Sequence, residues 1–548
     1  MNMEKFLSRL CVAAFVFGLL YRLHPLVMDN ARIARFFVTE DGYLMLTVAR
    51  NLAIGNGLSV SAGEIATNGV QPLATFLFAI PYMLFGGDKF LGIAGVLAIS
   101  VVVSCLAAWA IRRFAAAALA PQDASPAWPL LVAALWFVGP LLLLHSMNAL
   151  ETGLYTLVLV LVALRFGTLL ARGGVFPMAD RLTFGLALGL VFLARNDGAF
   201  FVASALFVRF VQAQLPRGRG GEGLSFGTAL AEAAPAGLMS LVVAAPWLAY
   251  NKIGFGSFVP ISGQSQAIAA GFGSNLGLAP LKLFETMFPM LPVPGALEGS
   301  TLANAVLGLA AAGVLVAFLV GAIRRGGTFR VVLVAYALHA TLIFFYYGLF
   351  FGAPWFLSRY FAPLAPLMIT AAVSVGLDLA RRLAGPAGRV AAGRVAAGVA
   401  AGVGAGAGRV AAAVGVAALA LAMLLSARLL LPGRHVHEHF QVVDWIEANV
   451  APETWVGAVQ TGTLGYWHDR TINLDGKVNP AALAALRAKG DVLDYVVDSP
   501  IQYMADWTGL AEWVTRDNRR FADAFEVVVD EPAQNLSVLR RRGGPPPL

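Results

Sequence analysis

The chain has 548 residues, 58% of them hydrophobic and 13% charged, with a mean hydropathy of +0.73. Ordinary soluble domains carry about 25% charged residues, so this composition excludes a soluble enzyme and points to a polytopic membrane protein. The net charge of +8 does not mark a nucleic-acid binder, because the basic residues fall in short clusters between apolar spans, as the positive-inside rule expects.

Lys5 and Arg9 precede the first apolar run and place the N-terminus in the cytoplasm, so that the loop 22–90 lies outside. The residues after that run, His24-Pro25-Leu26-Val27, contain no small-x-small cleavage site, and an uncleaved first span is expected. Only two cysteines occur, Cys11 and Cys105, both in apolar segments, and no disulfide framework follows. Within the outer loop, Thr39 caps a helix headed by the adjacent carboxylates Glu40 and Asp41 and ending at Gly55-Asn56-Gly57. Residues 71–85 are apolar but short and interrupted by Pro72 and Pro81, which predicts an interfacial helix rather than a crossing.

Further spans are read at 91–111, 128–144, 152–164, 182–193, 200–211, 233–250, 302–323, 331–351, 361–377 and 410–431, about eleven crossings with the first. With 71–85 kept at the interface, the clusters at Arg112, Arg217, Arg324 and Arg381 all fall inside. Residues 251–300 form a long outer loop rich in Gly, Pro and Phe. Residues 381–409, with GRVAA recurring at Gly388, Gly393 and Gly408, read as a low-complexity cytoplasmic linker. The membrane part is thus 1–431. Residues 433–548 form a soluble α/β domain outside the membrane, with strands in VGAVQ, TINL, LDYVVDS and AFEVVVD and helices in FQVVDWIEAN and at 481–489. It contains no GxGxxG or P-loop, so no nucleotide site is implied.

Sorted by side, the residues suited to chemistry collect on the outer face, including Glu40, Asp41, His145, Asn148, Glu151, Arg195, Asp197, Lys252 and Arg359. Arg195 follows Arg181 by only about a dozen apolar residues where a crossing needs about twenty, so it sits below the outer surface and needs a partner, for which Asp197 is at hand. Glu151 heads a span and reads as a helix cap, while His145 is either an interfacial residue or part of a site. Arg359 lies among aromatics that include Tyr360, as an interfacial anchor or a bidentate grip on a lipid phosphate. His435, His437 and His439 read as solvated histidines rather than a metal site. A carboxylate base, cations and an apolar wall suit sugar transfer from a lipid phosphate. In that reading Asp41 and Glu40 are the catalytic pair, and Arg359, Arg195, His145, Lys252 and Tyr360 bind substrate or phosphate.

The stretches TEDGYLMLTVARNLAIGNG, TNGVQPLATFLFAIPYMLFGG, ALETGLYTLVL, ARNDGAFF, LSRYFAPLAP and GTLGYWHDRTINLDGKVN resemble the GT-C superfamily of integral membrane glycosyltransferases over most of the chain. Bacterial aminoarabinose transferases, protein O-mannosyltransferases and mycobacterial arabinofuranosyltransferases belong there. The resemblance implies a polyprenyl-phosphate sugar donor and inverting transfer to a lipid, glycan or protein acceptor at the outer face of a bacterial cytoplasmic membrane. It implies Asp41 as the base; many members have Asp-Asp or Asp-Glu where this chain has Glu40-Asp41, which leaves Glu40 the lesser candidate. Some members use a divalent metal and others do not, and no ligand set here decides between them. Two rival classes are a flippase for lipid-linked sugars and a non-catalytic membrane scaffold. The sequence shows no repeated halves, and its ionisable residues gather at one face rather than at the bilayer midplane, which favours an enzyme.

Overall fold

Long apolar helices dominate the computed structural model, which describes residues 3–215, 223–268, 270–383, 397–429 and 439–543. Among these residues eight helical runs are long and apolar enough to cross a membrane: Met3–Val27, Lys89–Leu119, Thr152–Arg172, Phe226–Phe255, Thr301–Arg325, Arg330–Leu349, Pro354–Arg382 and Gly408–Leu429. Ala127–Val138 and Pro140–Met147 make a ninth if taken as one span bent by 63°. The two remaining spans read from sequence lie in the shorter helices Met178–Ala194 and Ala199–Gln214, of 17 and 16 residues. The protein is a multi-pass membrane protein.

The 63° bend has a local cause. Pro140 has no N–H to donate, and its ring keeps the preceding residue out of the helical region, so that Gly139 is extended at φ −62, ψ 127. Buried Arg22 spans the break, donating to the Phe137 carbonyl at 2.8 Å on one arm and to Ser146 Oγ at 3.1 Å on the other. Beyond the bend, His145 is half-buried and Glu151 fully buried.

Pro72–Leu84 is a 13-residue apolar helix, shorter than the roughly twenty residues a crossing needs. The loop expected at 251–300 is more ordered than the sequence suggests. The preceding helix runs on to Phe255, where Gly256 at φ +73 supplies the left-handed cap, and Ile261–Ile268 and Ala279–Met287 are helical. The linker read at 381–409 is also shortened: Ala365–Leu383 and Ala397–Leu429 are helices that take its two ends. Residues 384–396 with the repeats at Gly388 and Gly393 lie outside the described residues, as do Arg217, His435 and His437.

The terminal domain holds a five-stranded sheet in the order Thr471–Asn473, Val456–Ala458, Tyr503–Asp506, Leu536–Arg541, Phe525–Glu531. The first three strands are parallel and the last three antiparallel. LDYVVDS, read as a strand, is instead the helix Leu493–Asp498. Its buried residues Leu493 and Val496 are three apart, the helical period, and Asp491 Oδ1 accepts the Leu493 N–H at 3.0 Å at its start. His439, expected to be solvated, is buried with its ring edge-on to Trp507.

This domain is packed onto the helices between Asn30 and Leu84. One apolar cluster joins Tyr43, Leu46, Phe78 and Tyr82 to Phe440, Val443, Ile446, Leu464 and Tyr466, and the hydroxyls of Tyr82 and Tyr466 meet at 2.9 Å. Arg50 and Lys89 both reach Asp469, at 3.4 and 3.1 Å.

Candidate active site

The helix Glu40–Ala53 begins where Thr39 Oγ1 accepts the Gly42 N–H at 3.3 Å, the N-cap that the sequence reading expects. Its first turn presents two carboxylates to different neighbours. Glu40 points into the terminal domain: Oε1 accepts the Gly462 N–H, and Oε2 accepts the N–H and hydroxyl of Thr463 at 2.9 and 2.6 Å. The backbones approach so closely there that a Cβ on residue 462 would lie 1.8 Å from the Glu40 carbonyl oxygen, so only glycine fits. Glu40 is therefore built into a domain junction.

Asp41 faces the other way, into a cavity of about 420 Å³. Its Oδ2 receives Arg359 Nη1 at 2.9 Å, while Arg359 Nη2 contacts both oxygens of Glu151 at 3.0 and 3.2 Å. Glu151, read from sequence as a helix cap, makes no side-chain cap bond and is fully buried. An ionised carboxylate in that position needs a counter-charge, and Arg359 supplies it. Arg359 thus bridges two acids from distant parts of the chain.

Arg195 sits in extended backbone between the helices Met178–Ala194 and Ala199–Gln214, 2% exposed. Its Nε donates to Asp197 Oδ1 at 2.7 Å and its Nη2 to the Tyr360 carbonyl at 3.0 Å, with the guanidinium 4.5 Å from the Tyr155 ring centre. Asp197 Oδ2 also accepts the Tyr347 hydroxyl at 2.8 Å, and the Tyr347 ring stacks on Tyr360 at 4.0 Å. This is the buried, partnered arrangement that the short spacing from Arg181 anticipates.

Of the residues selected from sequence, Asp41, Arg195, Arg359 and Tyr360 line the same cavity, together with Asp197. Three others do not. Glu40 serves the junction, and half-buried His145 lies behind the wall, its Nδ1 3.5 Å from Asn148 Nδ2. Lys252 is exposed, and its ammonium donates to the Gly256 carbonyl at the end of its own helix. Sequence reasoning misses Tyr347 and Lys477 as cavity residues and Glu151 as a partner of Arg359. Lys477 belongs to the terminal domain and is paired with Asp475 at 3.0 Å.

The donor set does not suit a resident divalent cation. Among the described residues no group of three or more His, Cys, Asp and Glu side chains is placed to hold one, and Asp41 and Glu151 are already bridged by a guanidinium. The cavity is instead a set of acid and base side chains beside an aromatic wall that includes Phe350, Phe351 and Phe356. Its size and its mixture of apolar lining with a few converging polar groups suit a small-molecule site.

Residues 432–536 match a family described as a domain of unknown function, DUF8728. No curated protein matches the chain. Among solved structures, ArnT from Cupriavidus metallidurans bound to undecaprenyl phosphate is similar over 96% of this chain and 97% of that one, with a TM-score of 0.58 and 14% identity. The apo state of the same ArnT gives 0.56 and 15% over the same shares. The archaeal oligosaccharyltransferase AglB from Archaeoglobus fulgidus, in complex with an inhibitory peptide and a dolichol-phosphate, is similar over 91% of this chain and 69% of that one, at 0.54 and 14%. At these identities the likeness is one of fold: the chain shares the fold of ArnT and of AglB.

Proposed function

We propose, from the GT-C fold and the cavity at Asp41, that the protein transfers a sugar from a polyprenyl-phosphate donor to an envelope acceptor at the outer face of the cytoplasmic membrane. The observation that carries this reading is Asp41, half-buried on the wall of a cavity that also holds Arg195, Arg359 and an aromatic face. ArnT is of this fold and its structure contains undecaprenyl phosphate, which supports a donor of that class.

In the proposed reaction Asp41 accepts the proton of an acceptor hydroxyl as the oxygen bonds to the anomeric carbon. The bond from that carbon to the donor phosphate breaks on the opposite side, and the phosphate leaves with the electron pair. Configuration at the carbon inverts. Carboxylate base catalysis of this kind contributes typically about a hundredfold to ten-thousandfold. Arg359 orients Asp41 and holds Glu151; with both Nη atoms engaged, its part toward a phosphate is the charge it adds to the wall. Arg195 adds a second charge beneath Tyr360, and Tyr347 and Tyr360 offer a stacked face to the sugar or the lipid.

The test is a mass-spectrometric comparison of lipid-linked sugars and envelope glycans in cells with and without the protein. The proposal expects a glycan to lose one sugar while the matching lipid-linked sugar accumulates. Unchanged glycans and lipid-linked sugars would refute it.

A further inference from the structure

The terminal domain reaches the cavity with a charged side chain. Lys477 stands on the turn between the strand Thr471–Asn473 and the helix Pro480–Lys489, and it lines the cavity beside Asp41, Arg195 and Arg359. The turn is held from both sides. Within it, Asp475 Oδ1 accepts the Lys477 N–H at 2.9 Å, and Asn479 caps the helix that follows. From the membrane part, Ser265 Oγ donates to the Asp475 carbonyl at 2.6 Å. Gly69 lies so close that a Cβ there would be 2.1 Å from the Lys477 carbonyl oxygen. Val478 is buried against Val48, Val70 and Trp247.

The three cations of the cavity differ in what they have left to give. Arg359 is paired with Asp41 and Glu151, and Arg195 with Asp197 and a carbonyl; the nitrogens they leave unpartnered, Arg359 Nε and Arg195 Nη1, are buried. Lys477 meets one carboxylate oxygen, Asp475 Oδ2 at 3.0 Å, and an ammonium carries three N–H donors. Its side chain is 17% exposed, against 12% for Arg359 and 2% for Arg195. Burial opposes its charge, but the carboxylates of Asp475 and Asp41 outweigh it and hold the ammonium above its ordinary range.

We infer that the terminal domain is a working wall of the reaction cavity and that the Lys477 ammonium binds the phosphate of the donor. The inference rests on the glycosyl-transfer reading above. The donor phosphate gathers negative charge as its bond to the sugar breaks, and a point cation able to turn its hydrogens follows that change without a fixed fork geometry. No bond is made to Lys477. Its work is electrostatic, and it makes catalysis depend on the docking of the terminal domain.

The experiment measures binding of undecaprenyl phosphate and of uncharged undecaprenol to the purified full-length protein in nanodiscs, with inorganic phosphate as competitor. Lys477→Met keeps the length of the side chain and removes its charge, Lys477→Arg keeps the charge, and Lys489→Ala removes an exposed lysine of the same domain. Loss of one charge-assisted contact weakens undecaprenyl phosphate binding by about tenfold in Lys477→Met. Undecaprenol binding and the thermal midpoint stay as they are, Lys477→Arg retains most of the affinity, and Lys489→Ala binds as the unaltered protein does. Inorganic phosphate at the concentration of the lipid should not compete, and displacement of the lipid by it would overturn the assignment to the donor. If Lys477→Met binds undecaprenyl phosphate normally, the assignment of Lys477 fails while the glycosyl-transfer reading stands. If the unaltered protein does not prefer undecaprenyl phosphate to undecaprenol, both fail.

Discussion

Arg359 decides the character of the site because its guanidinium is shared between an acid that faces the cavity and one that does not. Replacing it with Ala leaves Glu151 buried without a counter-charge, a loss of about 3–5 kcal/mol for a broken buried pair. Arg359→Ala should therefore lower the thermal midpoint in detergent, and adding Glu151→Gln, which removes the stranded charge, should restore part of the loss. Equal midpoints for the single and the double variant would mean that Glu151 does not depend on Arg359. This pairing is hard to read in sequence. Arg359 lies 318 residues from Asp41 and 208 from Glu151, and each residue taken alone has a local explanation, an aromatic anchor or a helix cap. Arg195 was easier: too few apolar residues separate it from Arg181, which forces burial, and the nearest acid is two residues away.

Among the elements, the helix Glu40–Ala53 is the hinge pin between membrane part and terminal domain, with Asp41 on one side and Glu40 on the other. Glu40→Gln would set an amide N–H₂ against backbone N–H groups that now meet a carboxylate, so the junction should loosen. Hydrogen exchange over Gly462–Trp467 should rise, with turnover falling less than in Asp41→Asn. Gly462→Ala, whose Cβ has no space, should disrupt docking more strongly than Glu40→Gln. Normal exchange in both variants would show that this junction does not hold the domain. The shortness of the helix Pro72–Leu84 was legible because length and proline act locally. The helix Leu493–Asp498 was not, because a short run of Leu, Tyr and Val suits a strand equally well, and tertiary packing settles it. The bend at Gly139–Pro140 has its cause in a local proline, which the reading of 128–144 as one span passed over.

At the scale of the molecule, one cavity collects side chains from the first outer loop, the turn at Arg195, the start of Pro354–Arg382 and the terminal domain, so all four must share one side of the membrane. From the Arg clusters we propose that this side is the outer one. In a protein freed of Cys11 and Cys105, Asp498→Cys in the terminal domain should react with an impermeant maleimide on intact spheroplasts. Arg172→Cys, at the far end of Thr152–Arg172, should react only after permeabilisation. The reverse pattern would invert the topology. Most of the long helices were legible from apolar length alone, because the bilayer imposes it; the joining of the terminal domain to the cavity was not, since it rests on close backbone approaches at Gly69 and Gly462 that no local pattern announces. The central claim is sugar transfer with Asp41 as base. The measurement that tests it most directly is release of polyprenyl phosphate from a polyprenyl-phosphate sugar by the reconstituted full-length protein, supplied with envelope acceptor, compared with Asp41→Asn. That change keeps the shape of the side chain and removes its basicity. The account predicts turnover by the unaltered protein and a fall of about a hundredfold to ten-thousandfold in Asp41→Asn with donor binding retained; near-normal turnover by Asp41→Asn would contradict it.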